Sequence, residues 1–216
     1  MFLNQLFQNL AKFLMKKRGW QALGSLPKEN CVIIFAPHTS NWDFFLLLTL
    51  GLSWKAVGEV SWLGKHQIFV GPIGFFLKFI GGIPVNRKKP GSLSSDLNQL
   101  YSDSHRTIRI ALAPEGTRKG VSQFKRGFLH IARSAKVPIY LGAVNYSEKK
   151  MGIIGKLDYR LTDAQINAHL EKTYEANWAK YPEFFLHLES NYTVANSAYT
   201  CHVSRYFFRS FSAKTS

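Results

Sequence analysis

Acid is scarce in this chain. Its 13 Asp and Glu stand against 28 Lys and Arg, a formal net charge of +15 at pH 7. Such an excess points to an anionic partner: nucleic acid, an acidic protein, a phosphorylated substrate or an anionic lipid surface. Cysteine is nearly absent too. Cys31 and Cys201 stand far apart, which argues against a disulfide framework and fits a reducing compartment. No uninterrupted apolar stretch reaches the ~20 residues that cross a bilayer. Phe44 to Trp54 is too short, and Ile68 to Ile80 is broken by Gly71, Pro72, Gly74 and Lys78. Attachment to a membrane is therefore expected to be peripheral or monotopic at most.

Several chemistries lack their signature. There is no Gly-x-Ser-x-Gly elbow to supply a serine nucleophile. Gly58 to His66 (GEVSWLGKH) resembles a phosphate loop, but five residues precede Gly64-Lys65 where four are required, and His66 replaces Ser or Thr. No zinc-ligand, helix-turn-helix or RNA-recognition signature stands out. Neither a metal nor a nucleic-acid partner is expected. The aromatic content is 14%, with 17 Phe and 5 Trp, and aromatic side chains beside Lys and Arg suit a membrane interface.

What is present is enough for one core. The 216 residues, 46% hydrophobic, predict a single α/β domain with a mixed, mostly parallel sheet flanked by helices. The expected division is an amphipathic helix at 1–20, a main domain at 21–198 and a basic aromatic tail at 199–216. In the first segment Leu3, Leu6, Phe7, Leu10, Phe13 and Leu14 recur at helical spacing, with polar residues opposite. Lys16, Lys17 and Arg18 follow the stripe instead of preceding it, and no small-residue cleavage site comes after, which argues against a signal peptide. The stripe fits a lipid interface or the flank of the domain equally well. Strands are expected at Val32–Phe35, Lys55–Val60, Gly82–Val85, Thr107–Ala113 and Val137–Val144. Helices are expected at Ser92–Ser102, Gly127–Ala135 and Thr162–Lys180, the last opened by a Thr162-x-x-Gln165 capping box.

The chemistry gathers at two strand ends. Val32–Ala36 and Ile108–Ala113 each close on Ala-Pro and run at once into a polar cluster, HTSNWD and EGTRKG. In open α/β sheets ligands bind beyond the carboxyl ends of the strands, so both clusters are expected at one crevice. On a continuous helix His38 and Asp43 would diverge by about 140°. They meet only if His38 lies in the loop and Asp43 in the first helical turn, where Pro37 and Thr39-Ser40-Asn41 place them. A carboxylate on one ring nitrogen then fixes the tautomer and leaves the other nitrogen to take a proton. In the second cluster Glu115, Gly116, Thr117, Arg118 and Lys119 suit a polyol hydroxyl and a phosphate. Arg87, Arg118 and Lys125 are candidates to converge on that phosphate.

HTSNWD, the IPVNR segment ending in Arg87, PEGTR at Pro114–Arg118 and VPI at Val137–Ile139 resemble, in order and spacing, the four motif blocks of the glycerolipid acyltransferases, the 1-acylglycerol-3-phosphate acyltransferase-like superfamily. The resemblance implies transfer of a fatty acyl group from acyl-CoA or acyl carrier protein to the hydroxyl of a lysolipid on an anionic membrane surface, at the cytoplasmic face. It implies His38 as general base and Asp43 as its orienting partner. Arg87, Glu115, Gly116, Thr117, Arg118 and Lys125 would bind the acceptor. The thioester is a co-substrate, and no cofactor is expected. Pro37, Thr39 and Asn86 depart from the pattern of the phosphatidic-acid-forming members, which leaves lysophosphatidic acid, another lysophospholipid and a lyso-aminolipid open as acceptors. The alternative is a non-catalytic, basic lipid-binding protein that keeps the fold.

Overall fold

The computed structural model describes residues 2–85, 97, 99–102, 106–118 and 123–185. Its strands are β1 (Gln21–Leu23), β2 (Cys31–Ala36), β3 (Ser61–Lys65), β4 (Gly82–Val85), β5 (Arg109–Leu112), β6 (Ile139–Asn145) and β7 (Lys150–Leu157). They form one sheet in the order β1-β7-β6-β2-β5-β3-β4. The run from β6 to β4 is parallel, β7 pairs antiparallel with β6, and β1 closes the edge parallel to β7. β2 is central because CVIIFA carries apolar side chains on both faces, as a strand buried on both sides requires.

Period-two alternation divides the core into two layers. Val32, Ile34 and Ala36 enter the larger layer with Ile110 and Ile139, under α4 (Gly127–Ala135) and α5 (Asp163–Thr173). Cys31 and Ile33 face the other way, with Ala111, Trp62 and Phe35. α4 matches its expected bounds. α5 starts at the expected capping box, where the Gln165 N–H donates to Thr162 Oγ1 at 3.2 Å and the Thr162 N–H to Gln165 Oε1 at 2.9 Å. It stops at Thr173, short of the expected Lys180. Tyr174 turns to extended backbone so that its buried hydroxyl reaches the Gly142 carbonyl at 2.9 Å, and two 3-10 turns follow.

Three helices cover the second face: α1 (Phe2–Lys17), α2 (Trp42–Ser53) and α3 (Gly71–Phe79). Leu50 of α2 packs with Met15 of α1 and with Val144 and Met151 of the sheet. α3 lies over Trp62 and Gly82. A methyl group at Gly82 would stand 2.6 Å from the Leu77 carbonyl oxygen and 2.6 Å from the Phe69 ring, so glycine is what admits the helix there. α1 docks through its small and polar flank. Ala11 and Met15 are buried, and the Gln8 amide donates to the Ser53 carbonyl at 2.9 Å. Its apolar stripe, Leu6, Phe7, Leu10, Phe13 and Leu14, points outward.

One expected strand is misplaced by several residues. Lys55–Val60 forms a turn with an isolated Val57–Val60 bridge, and β3 follows at Ser61–Lys65, inside the segment that resembles a phosphate loop. β3 is drawn into the sheet by parallel neighbours on both sides, with Trp62 in register between Ala111 and Gly82. Of the expected helix Ser92–Ser102, Leu97 and residues 99–102 are helical. The remainder lies outside the described residues, as do Arg87, Lys119, Cys201 and the tail 199–216. No helix among the described residues is long and apolar enough to cross a membrane.

Candidate active site

The two polar clusters meet at the carboxyl edge of the sheet. Pro37 ends β2, and His38 lies in the loop two residues past Ala36. α2 then opens with a pair of hydrogen bonds: Ser40 Oγ accepts the Trp42 N–H at 3.1 Å, while Asp43 Oδ2 accepts the Ser40 N–H at 2.9 Å. This pairing turns Asp43 back toward the loop. His38 Nδ1 stands 3.1 Å from Asp43 Oδ2, so the dyad expected from the sequence is assembled. The carboxylate is 1% exposed, whereas the imidazole is partly open to solvent. Because the carboxylate accepts at Nδ1, the ring's proton sits there and Nε2 is left for a substrate.

Asp43 has another donor that the sequence did not reveal. The Tyr146 hydroxyl, from the residue that follows β6, donates to Oδ1 at 2.7 Å. A buried carboxylate needs several donors to offset its desolvation, and this one has three within 3.1 Å. Burial, and next the hydrogen bond to Asp43, push the Tyr146 phenol above its usual value, so it stays a donor.

Glu115 comes from the second cluster. It sits three residues beyond β5 and is 2% exposed, and its two carboxylate oxygens both accept the backbone N–H of His38, at 2.9 and 3.1 Å. Burial pushes its carboxyl up to about 7, against the pull of that N–H and with a further push from the charge of Asp43. Glu115 therefore faces inward and fixes the loop that carries His38. Gly116 follows with φ +64, in the left-handed region that glycine enters without cost. The Lys125 side chain crosses over it: a Cβ at Gly116 would meet Lys125 Cδ at 3.0 Å and Nζ at 3.2 Å. Gly116 and Lys125 are thus together, and Thr117 and exposed Arg118 continue the same turn.

The chain beyond the last motif block also reaches this edge. The Tyr181 N–H donates to Thr39 Oγ1 at 3.2 Å, and Lys180 Nζ lies 5.0 Å from the Trp42 ring centroid and 5.6 Å from that of Tyr181. These cation–π contacts put one ammonium and two aromatic rings beside the loop of His38. The only trace in sequence is the mixed run Trp178-Ala-Lys-Tyr181.

Comparison with known proteins bears on the family and the fold. The family model described as Acyltransferase matches residues 20–143, more than half of the chain. A 1-acyl-sn-glycerol-3-phosphate acyltransferase of Bacillus subtilis is 28% identical over 138 residues, 61% of this chain and 65% of that protein. The human 1-acyl-sn-glycerol-3-phosphate acyltransferase alpha is 27% identical over 118 residues, 52% of this chain and 40% of its own length. The chain thus spans less than two thirds of these curated relatives. The crystal structure of the 1-acyl-sn-glycerophosphate acyltransferase from Thermotoga maritima superposes with a TM-score of 0.53 at 15% identity, over 79% of this chain and 76% of that one, a likeness of fold. From the match of the family model across the dyad and the PEGTR turn, the chain belongs to the Acyltransferase family.

Proposed function

We propose that the chain moves a fatty acyl group from a thioester, acyl-CoA or acyl carrier protein, to the hydroxyl of a phosphate-bearing lysolipid. The observation that carries this reading is the 3.1 Å pairing of His38 Nδ1 with buried Asp43. Nε2 takes the proton of the acceptor hydroxyl, and the oxygen attacks the thioester carbonyl carbon. The new C–O bond forms as the C–S bond breaks, and the imidazolium returns its proton to the leaving thiolate. Asp43 compensates the imidazolium in between. An alcohol attacking a thioester in this way needs no enzyme nucleophile. Arg118 and Lys125 supply positive charge for the acceptor's phosphate, with Arg87 joined to them by its motif. The similarity to 1-acyl-sn-glycerol-3-phosphate acyltransferases favours 1-acyl-sn-glycerol-3-phosphate as acceptor.

The reading puts the reaction at a lipid surface on the cytoplasmic face. Of the fifteen exposed large apolar side chains among the described residues, thirteen lie on α1, the first turn of α2, or the Ile68–Phe79 segment. All three helices cover the same face of the sheet. Phe75 and Phe79 are at least three-quarters exposed. An apolar surface of that extent marks a membrane or interaction face, and Lys16, Lys17 and Arg18 at the end of α1 suit anionic head groups.

The test is transfer of labelled acyl groups from both donors to vesicle-borne lysophosphatidic acid, other lysophospholipids, a lyso-aminolipid and monoacylglycerol. The reading predicts label in a phosphate-bearing product. Folded, vesicle-bound protein that labels none of them would contradict it and favour a lipid-binding protein that keeps the fold.

A further inference from the structure

We propose that Tyr146 is a positioning residue of the dyad: its hydroxyl fixes which oxygen of Asp43 faces His38. It lies outside the four motif blocks and outside the matched residues 20–143. Asp43 divides its donors by oxygen. Oδ2 takes His38 Nδ1 and the Ser40 N–H, while Oδ1 takes the Tyr146 hydroxyl. Without that hydroxyl Oδ1 is a buried acceptor lacking its 2.7 Å donor. The carboxylate then gains by rotating to share the remaining donors between both oxygens, because an unsatisfied buried acceptor is costly. Rotation moves Oδ2 away from the imidazole.

The phenol is itself held from two directions. Its backbone N–H donates to the Trp178 carbonyl at 2.9 Å, and its ring meets Trp20 edge to face, with centroids 5.3 Å apart at 85°. Both rings belong to the cluster of Met15, Leu50, Val144 and Met151, which ties α1 and α2 to the sheet. The hydroxyl is thus aimed by packing on the helix layer, and Asp43 sits in the first turn of one of those helices. The titratable groups around this point are His38 on the β2–α2 loop, Glu115 beyond β5, which feels the charge of Asp43, and Tyr181, whose charge bears on the Tyr146 hydroxyl.

The kinetic arm of the test rests on the acyltransferase reading; a spectroscopic arm does not. Tyr146→Phe keeps the ring and its contact with Trp20. The expected result is a fall in kcat of about tenfold with KM within about twofold, the scale of one hydrogen bond to a charged group. The acidic limb of kcat/KM against pH moves to lower pH, because a carboxylate whose Oδ2 has turned away holds the imidazolium less tightly. Nitrogen chemical shifts of the His38 ring in the ligand-free protein follow in the same direction. Trp20→Leu, the second variant should Tyr146→Phe not fold, gives part of the loss, and adds none in the Tyr146→Phe background. Wild-type kcat and an unmoved profile in Tyr146→Phe overturn the proposal. A lower kcat with unmoved profile and ring shifts also overturns it, since packing alone would do that. If the wild type transfers to no acceptor, the acyltransferase reading fails by itself, and the ring shifts alone decide for or against Tyr146.

Discussion

Glu115→Gln should make the protein less sensitive to alkaline pH. In the folded chain the Glu115 carboxyl is pushed from its ordinary 4.5 up to about 7, chiefly by burial. An acid whose folded value is raised favours the folded state when protonated, so its cost appears as pH rises from 4.5 toward 7 and is fully present above that. Linkage between the two values makes the loss about 2.5 kcal/mol between pH 5 and pH 8. Gln cannot ionise, yet its amide oxygen still accepts the His38 N–H. Urea unfolding of wild type and variant at pH 5, 6, 7 and 8 measures the difference. The difference in stability, variant minus wild type, should grow by roughly that 2.5 kcal/mol across the range, whatever its value at pH 5. Because other titrating groups are common to both chains, they cancel. Parallel stability curves would refute the reasoning, and would mean that Glu115 is ionised at an ordinary carboxylate value despite its burial. Glu115→Gln should also keep most of its turnover, whereas Glu115→Ala, which frees the His38 loop, should not.

Other substitutions test other parts of the account. Asp43→Asn keeps the shape but presents no charge to the imidazole, and kcat should fall by ~10²- to 10⁴-fold, the range for a general base put out of action; steady-state rates on the preferred acceptor measure it. Phe75→Glu with Phe79→Glu, both on the exposed face of α3, should weaken sedimentation with anionic vesicles by tenfold or more, on the order of 1.5–3 kcal/mol per buried aromatic ring. Their melting temperature should not drop, and unchanged vesicle binding would remove α3 from the lipid-contact surface.

The sequence was informative where local rules act alone. The β-branched run of β2, stopped by Pro37, located the His38 loop, and the Thr162–Gln165 box located the start of α5. It was less informative where tertiary neighbours decide. β3 contains a glycine and reads as a loop; it becomes a strand because β4 and β5 flank it and because Gly64 and Gly82 make room for the rings of Trp62 and Phe69. β7 has two glycines, β1 only three residues, and neither shows a strand pattern by itself. The inward turn of Glu115 depends on a backbone N–H 77 residues away, and the Tyr146–Asp43 bond spans 103 residues. No periodicity reports such pairs. The outward stripe of α1 was visible as a stripe, but its direction is set by Ala11 and Met15, which offer the better fit against α2.

The most direct measurement is acyl transfer by His38→Ala beside the wild type, on vesicles, with binding of the lysolipid followed in parallel. The account predicts that transfer by the variant falls by ~10²-fold or more while lysolipid binding and the melting curve are unchanged. Turnover by His38→Ala close to wild type would contradict the His38–Asp43 dyad as the base, and with it the central claim.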